Sequence, residues 1–208
     1  MAQYTKNPPL LESAIDRDPF AQFSGWLRQA KDAGMREPTA MTLATVDANG
    51  RPSARVVLLK DIAQGGLCFY TNYESRKGAA LAANPYAAAT FWWDIFERSV
   101  RFEGRVQKLP VAMSDEYFHS RPRGSQLGAL CSAQSHSIAS RAALEASLAA
   151  SAATVGEGEV PLPAFWGGYL LVPDRIEFWQ GRDNRLHDRL LFTRSTEAES
   201  WTLTRLQP

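Results

Sequence analysis

The feature that most constrains the fold of this chain is a series of short apolar segments, rich in β-branched and aromatic residues, with turn-forming residues between most of them. Such segments are typical of β-strands. They are Ala40–Val46, Ala54–Leu59, Leu67–Thr71, Ala87–Trp93, Val100–Gln107, Gly168–Val172, Arg175–Trp179, Leu190–Arg194 and Trp201–Leu206. So many strands in one short domain predict a closed or nearly closed β-barrel.

Helices are predicted around this barrel. The segment from Asp18 to Gly34 begins with an N-cap aspartate and Pro19, and its apolar residues share one face. Shorter helices are predicted at Arg76–Ala83, Val111–Ser120, Gln126–Cys131 and Ile138–Ala153. The predicted fold class is therefore mainly β with peripheral helices, an α+β arrangement.

Length and composition favour one globular domain. The 208 residues are 45% hydrophobic and 22% charged, which is ordinary for a globular protein. We expect a single domain over residues 18–208, preceded by an N-terminal segment, residues 1–17, that is mobile unless a ligand or partner holds it.

The charge balance argues against a broad nucleic-acid surface or a membrane anchor, because 23 basic residues face 22 acidic ones. Cys68 and Cys131 lie far apart in no zinc or redox spacing, and we expect reduced core thiols. With neither a leader pattern nor eighteen successive apolar residues, a cytoplasmic location is predicted.

Two cations flank the apolar run from Arg55 to Lys60. At an offset of five they point to opposite faces of a regular strand, but a bulge or bend would bring both to one ligand. The alternative is that both are solvated ends of a buried strand.

A phosphate site is indicated where Tyr70-Thr71-Asn72 ends one strand and Ser75-Arg76-Lys77 opens the next helix. Hydroxyls, free backbone N–H groups and two cations then meet in one place. A serine-capped helix without a ligand is the alternative. Cations in a first helical turn oppose the helix dipole unless an anion is near, which favours a ligand.

The stretch from Tyr117 to Gln126 predicts a second anion site. Tyr117 and Arg121 lie one helical turn apart, Pro122 ends that helix, and Ser125 can cap the next one. A helix-loop-helix with a solvated basic corner is the competing interpretation.

Alternation along a strand would place Arg185, His187 and Arg189 on one side. Three such polar groups suit an anionic or aromatic ligand, although a solvated strand face would also explain them.

Metal and hydrolase chemistry are not favoured. The three histidines, His119, His136 and His187, lack metal-ligand spacing, so we expect no metal. Ser135 and His136 are neighbours in sequence, and such neighbours rarely meet in triad geometry.

Taken together, these motifs resemble the pyridoxamine 5′-phosphate oxidase family. The shared blocks run in order between about Asp18 and Pro208, and they are Arg55–Lys60, Tyr70–Asn72, Ser75–Lys77, Tyr117–Arg123, Gln134-Ser135, Phe165–Gly168, Phe178–Gly181 and Arg185–Arg189. The resemblance implies an FMN-binding split β-barrel and a homodimer with two active sites at the subunit interface. It also implies oxidation of pyridoxamine or pyridoxine 5′-phosphate to pyridoxal 5′-phosphate, with O2 reoxidising the flavin to give H2O2.

The resemblance also implies residue roles. Those that correspond to the FMN site are Arg55, Val56, Val57, Leu58, Leu59, Lys60, Tyr70, Thr71, Arg76, Lys77, Ser99, Gln134, Ser135, Trp179 and Arg189. Those that correspond to the grip on the substrate phosphate are Lys60, Tyr117, Arg121 and Ser125. Arg185 and His187 correspond to the catalytic residues over the pyridine ring, where they position it and stabilise charge during hydride transfer.

Two positions depart from the family pattern. Ser99 stands where the family usually has glutamine, which shortens or removes one FMN contact. An arginine before the N-terminal tyrosine, part of an active-site lid in some members, is missing because only Met1 to Gln3 precede Tyr4. A flavin oxidase of the phenazine-biosynthesis type and a non-catalytic FMN- or haem-binding barrel are the alternatives, and the retained Tyr117, Arg121 and Ser125 argue against both.

Overall fold

The structure, a computed structural model, describes Tyr4 and residues 7–208. One curled antiparallel sheet contains the strands β1 Ala40–Val46, β2 Pro52–Leu58, β3 Asp61–Ala63, β4 Gly66–Asn72, β5 Tyr86–Trp93, β6 Arg98–Lys108, β7 Trp166–Gln180, β8 Asp188–Thr193 and β9 Thr202–Arg205. The α-helices are α1 Pro19–Asp32, α2 Arg76–Ala83, α3 Val111–Ser120, α4 Arg123–Cys131 and α5 Arg141–Val155. The predicted mainly β fold with peripheral helices is confirmed.

The strand order is β2-β1-β5-β6-β7-β4-β3, with β8 beside β7 and β9 beside β8. All pairings are antiparallel. No helix among the described residues is long and apolar enough to cross a membrane. Both cysteines are free; Cys68 is buried in the sheet, whereas Cys131 is only half-buried at the end of α4.

Helix α1 closes the concave face of the sheet. The Asp18 side chain accepts a hydrogen bond from the backbone N–H of Phe20, so the predicted cap is confirmed. Phe23 is fully buried, with its ring centroid 4.9 Å from that of Phe91 and 4.8 Å from that of Phe102. Loss of such a ring costs about 3 to 5 kcal/mol, so this contact anchors the helix on β5 and β6.

Strands β1 and β2 pair as an antiparallel hairpin. The Asp47 carboxylate accepts hydrogen bonds from the backbone N–H groups of Asn49 and Arg51, and Gly50 takes a positive φ of 77°. After β2 the chain changes partners: the N–H of Leu59 donates to Thr39 on the β1 side, and that of Lys60 donates to Cys68 in β4. This change of partner bends the chain between β2 and β3.

Strand β7 corrects one prediction, because the segments Gly168–Val172 and Arg175–Trp179 form one strand rather than two. The strand continues through Pro173 because the pairing of β6 with β7 shifts register between Glu103 and Gly104. A Cβ at Gly104 would lie 2.1 Å from the carbonyl oxygen of Val172, so only glycine permits this approach.

Other element boundaries also differ from the predicted ones. The three-residue strand β3 was not predicted, because it is too short to show an alternating pattern. Helix α5 begins at Arg141 rather than at Ile138, since the Ser140 hydroxyl accepts a hydrogen bond from the N–H of Ala143 and caps the helix there.

The described part of the N-terminal segment contacts the sheet. Leu10 and Ile15 are buried, and the N–H of Leu10 donates to the Asp188 carboxylate. The Gln180 amide donates to the carbonyl of Pro8. Residues 1–3, 5 and 6, on which the predicted loss of a lid arginine falls, lie outside the described residues. That loss and the mobility of residues 1–17 stay predictions.

Candidate functional site

One cavity of about 540 Å³ lies beside β2, the end of β4, α2 and α3. Its lining is rich in cations and hydroxyl groups, and we call it the basic cavity. The lining residues are Arg55, Val56, Val57, Leu58, Lys60, Tyr70, Thr71, Lys77, Tyr117, Arg121, Gln134 and Trp166. Most of the predicted FMN residues and three of the predicted substrate residues therefore meet here.

The bend after β2 explains how Arg55 and Lys60 line the same cavity. Lys60 lies beyond the end of β2, so the rule of alternating faces does not apply to it. The Arg55 guanidinium is held by the carbonyl of Leu43 at 3.1 Å and the hydroxyl of Thr45 at 2.8 Å. The arrangement matches the bent strand that the sequence offered as one of two possibilities.

Lys77 is a buried cation at the N-terminus of α2. Its ammonium donates hydrogen bonds only to neutral oxygens: Thr71 Oγ1 at 2.9 Å, Ser75 Oγ at 3.1 Å and Gln134 Oε1 at 2.6 Å. Burial, and then the nearby charge of Arg55, lower the pKa of Lys77 to about 8. Lys77 is thus a strong donor that its surroundings do not neutralise.

The basic cavity holds uncompensated positive charge. Among the described residues, no carboxylate oxygen lies within 4 Å of the charged nitrogens of Arg55, Lys60, Lys77 or Arg121. Burying charge without a partner is costly. The cavity is therefore suited to a ligand with negative charge.

Arg121 and Tyr117 form the second part of this cavity. The Tyr117 ring stacks on that of Tyr70 with centroids 3.9 Å apart, and the Arg121 guanidinium lies 4.7 Å from the ring centroid of Trp166. Arg121 donates to the carbonyl of Ser125 at 3.0 Å, while its Nη1 atom is buried and has no hydrogen-bond partner among the described residues. An unused guanidinium nitrogen beside the other cations fits an anionic oxygen.

Ser125 does not cap α4, which corrects the sequence prediction. The helix begins at Arg123, and Pro122 takes the N-cap position without a side-chain bond. Ser125 is exposed in the first turn, with its N–H bonded to the carbonyl of Pro122 at 2.8 Å. Proline is well suited to a helix start, and this moves the start three residues earlier than predicted.

Three other predicted FMN residues do not line the basic cavity. Leu59 is buried in the core, and Arg76 and Ser135 are exposed. Ser135 has a positive φ of 76°, directly after Gln134, whose amide oxygen receives Lys77. Trp166 lines the cavity but was not assigned a role from the sequence; its only signal was the Phe165–Gly168 block.

A second cavity, of about 500 Å³, lies on the surface of β5 to β8, and we call it the aromatic cavity. It is lined by Tyr4, Thr90, Trp92, Ser99, Arg101, Glu177, Trp179, Arg189 and Pro208. Among the described residues, no residue lines both cavities. The predicted FMN residues therefore fall into two groups on one chain, with Ser99, Trp179 and Arg189 in the second group.

The predicted alternation of Arg185, His187 and Arg189 is wrong, because β8 begins only at Asp188. Arg185 lies in a 3-10 turn, and both Asn184 and Arg185 take positive φ angles, 56° and 62°. The local signal for this turn is Asp183-Asn184, because asparagine adopts a positive φ more readily than most residues.

His187 packs against the aromatic cavity. Its ring centroid lies 4.7 Å from that of Trp179 and 5.7 Å from that of Tyr4. The Nδ1 atom accepts a hydrogen bond from the backbone N–H of Arg182 at 3.1 Å, so the ring proton of the neutral form is on Nε2. Burial, and then the charge of Arg185, lower the pKa of His187, which is therefore a neutral donor at pH 7.

Comparison with known proteins agrees with this geometry. Residues 27–158 match the family described as pyridoxamine 5′-phosphate oxidase, and residues 166–208 match the pyridoxine 5′-phosphate oxidase C-terminal dimerisation region. A relative from Paraburkholderia phytofirmans, named pyridoxine/pyridoxamine 5′-phosphate oxidase, is 56% identical over 93% of this chain and 91% of its own length. A relative of the same name from Salinibacter ruber is 55% identical over 93% and 91%.

Solved structures of related proteins have a similar fold. PhzG from Burkholderia lata 383, in complex with tetrahydrophenazine-1-carboxylic acid, has a TM-score of 0.88 and 31% identity over 96% of this chain and 98% of its own. An FMN-binding protein from Nostoc punctiforme, related to pyridoxamine 5′-phosphate oxidase, has a TM-score of 0.72 at 17% identity over 90% and 96%, a likeness of fold. By its sequence and its fold, this chain belongs to the pyridoxamine 5′-phosphate oxidase family.

Proposed function

We propose that this chain oxidises pyridoxamine 5′-phosphate or pyridoxine 5′-phosphate to pyridoxal 5′-phosphate, with FMN as cofactor and O2 as the oxidant that is converted to H2O2. The observation that carries the proposal is the basic cavity, where two groups of cations lie side by side without carboxylate partners. Cofactor and substrate each bring one phosphate, so two anion sites in one cavity are what this reaction needs.

The residues present fit a flavin phosphate. Lys77 and Arg55 are fixed by neutral groups alone, so a phosphate dianion would supply the charge that they lack. The N-terminus of α2 adds backbone N–H groups and a favourable dipole. The neighbour of the same fold that is described as FMN-binding supports the same cofactor.

Substrate would be held by the second group, Lys60, Tyr117, Arg121 and Ser125. The buried, unpaired Nη1 of Arg121 offers a hydrogen bond to a phosphate oxygen, and the Trp166 ring holds the guanidinium in place. The stack of Tyr70 on Tyr117 joins the two phosphate sites, so that substrate would lie directly beside the cofactor.

Bound FMN would supply the two-electron redox chemistry, and the protein's part is orientation and electrostatics. His187, a neutral imidazole with its proton on Nε2, would hold the substrate ring by a hydrogen bond rather than act as an acid. Arg185, on its 3-10 turn, would position the substrate ring and stabilise the charge that develops as hydride leaves the substrate. Both residues are proposed as the catalytic residues.

A homodimer would complete the site. The basic and aromatic cavities have separate linings, although the family's FMN residues occur in both. Trp92 is 47% exposed at the aromatic cavity, and the C-terminal residues 166–208 match a dimerisation region. We propose that the aromatic cavity of one protomer adjoins the basic cavity of its partner. The cytoplasmic location stays a prediction from the sequence.

A second candidate function is oxidation of a dihydrophenazine, favoured by the likeness to PhzG. Such a tricyclic substrate carries one carboxylate and no phosphate, whereas the basic cavity places two groups of cations side by side. We therefore rank it below the vitamin B6 reaction.

Anaerobic reduction of the FMN-loaded protein distinguishes the two. Pyridoxine 5′-phosphate should bleach the flavin absorbance near 450 nm, and the Arg121→Met variant should need far more substrate for the same bleaching. Bleaching by a dihydrophenazine carboxylate alone would support the second candidate and refute the first.

A further inference from the structure

A buried carboxylate lies at the base of the aromatic cavity. Glu177, on β7, is 5% exposed and faces the same side of the sheet as Trp179, two residues further on. Its register partner on β6 is Arg101, and Arg189 on β8 pairs with Trp179. Glu177 is thus surrounded by two arginines that also line this cavity.

The carboxylate grips Arg189 with both oxygens. Glu177 Oε1 lies 2.7 Å from Arg189 Nε, and Oε2 lies 3.2 Å from Arg189 Nη2 and 2.6 Å from Arg101 Nη2. A further donor of Arg189, Nη1, bonds the carbonyl of Gln207 at 2.9 Å. Three of the five N–H groups of a guanidinium are therefore used by fixed acceptors, which sets the plane and direction of the fork.

We propose that Glu177 is a positioning residue for Arg189 at the flavin site, an inference that rests on the proposed function. The carboxylate of Glu177 offsets part of the charge of Arg189, so Arg189 acts mainly through the direction of its remaining N–H groups. Glu177 itself need not touch the cofactor. It acts by holding the Arg189 fork still before the ligand arrives, which lowers the entropy cost of binding.

This role predicts a result that simple electrostatics does not. Removing the negative charge of Glu177 makes the cavity more positive, and charge alone would then tighten the binding of an anionic flavin. Loss of orientation predicts the reverse. In Glu177→Gln the amide keeps one oxygen and turns an N–H group towards the arginine donors, so the two-point grip is broken.

Glu103 provides a matched control in the same ion-pair cluster. It lies 2.7 Å from Arg101 Nε and 3.3 Å from Arg175 Nε. Within the described part of the chain, Arg189 forms its ion pair with Glu177 and not with Glu103. Glu103→Gln therefore removes one negative charge from the cluster and leaves the grip on Arg189 intact.

The test is the dissociation constant of FMN for the apoprotein, measured by quenching of flavin fluorescence. We expect binding about tenfold weaker or more in Glu177→Gln, a change within twofold in Glu103→Gln, and no added loss from Glu177→Gln in an Arg189→Met background. Equal affinity in Glu177→Gln, tighter binding, or the same loss in the Arg189→Met background would overturn the proposal.

A folding check and a second variant separate loss of positioning from misfolding. Near-ultraviolet circular dichroism of the apoproteins checks that the variants fold; if Glu177→Gln does not, Glu177→Asp keeps the charge but shortens the reach, and it should also weaken FMN binding. Unchanged FMN affinity in Glu177→Asp would then count against positioning. If the unsubstituted apoprotein binds no FMN, the proposed function fails rather than this inference.

Discussion

Replacement of Lys77 by methionine tests the contribution of a buried cation in the basic cavity to stability and to FMN binding. The pKa of Lys77 is lowered from 10.5 to about 8 by burial and by Arg55. Because a lowered lysine pKa disfavours the charged form, the ammonium costs stability below pH 8, and the cost fades between pH 8 and 10.5. One pKa unit corresponds to about 1.4 kcal/mol, so a fall from 10.5 to about 8 corresponds to a cost on the order of 3 to 4 kcal/mol.

A phosphate dianion beside Lys77 would restore its ordinary pKa. Above pH 8 the free protein has a neutral amine, and binding then requires uptake of a proton. With a free-state pKa of about 8, the affinity for FMN should be about tenfold weaker at pH 9 than at pH 7. Phosphate itself loses its second proton near pH 6, so it stays a dianion over this range.

Lys77→Met should weaken FMN binding at pH 7 by roughly tenfold to a hundredfold, since a hydrogen bond to a charged group contributes about 1.5 to 3 kcal/mol. Its affinity should also be flat between pH 7 and 9. Fluorescence titration at several pH values measures both effects, with Lys31→Met, at the exposed end of α1, as the control for loss of a lysine. A variant that keeps the tenfold pH dependence would refute the assignment to Lys77.

Four other predictions follow from particular residues. Arg185→Leu should keep FMN bound and lower turnover by about two orders of magnitude, and His187→Asn should be milder because its amide still donates a hydrogen bond; loss of FMN in either variant would move the pair to the cofactor site. Ser99→Gln should tighten FMN binding about twofold to fivefold, as one added hydrogen bond suggests, and an unchanged dissociation constant would mean that another group already serves. Gly78→Ala should lower the free energy of unfolding by about 2 kcal/mol, because its Cβ would lie 1.9 Å from the carbonyl of Tyr73, whereas Gly25→Ala, with open space, should not. Light scattering should give a dimer, and full activity at the 23.0 kDa mass of one chain would exclude it.

Several helices and strands were predictable because the residues that determine them are neighbours in the sequence. The α1 cap at Asp18, the β1–β2 hairpin and the bounds of α2 depend on neighbouring residues only. Strand β7 was not predictable as one strand, because continuity through Pro173 depends on the bulge and on Gly104 in a different strand. The residues that permit this continuity are therefore distant from Pro173 in the sequence.

At the candidate site, too, only features that depend on neighbouring residues were predictable. Local spacing was enough to suggest phosphate binding at Ser75 to Lys77, where the residues adjoin. Spacing wrongly placed Arg185 and His187 on a strand, because a 3-10 turn with positive φ angles at residues 184 and 185 precedes β8, whereas their roles stay a prediction. No role was predicted for Glu177, because its contacts are with arginines on the two neighbouring strands, β6 and β8, which the local sequence does not reveal.

The most direct test of the central claim is an aerobic oxidase assay of the FMN-loaded protein with pyridoxamine 5′-phosphate and pyridoxine 5′-phosphate, each as sole substrate. We predict pyridoxal 5′-phosphate, detected by its absorbance or as a hydrazone, together with an equal amount of H2O2, and little product from the unphosphorylated forms because the Arg121 grip would be unused. An FMN-loaded, dimeric protein that forms no pyridoxal 5′-phosphate from either phosphorylated substrate would contradict the account.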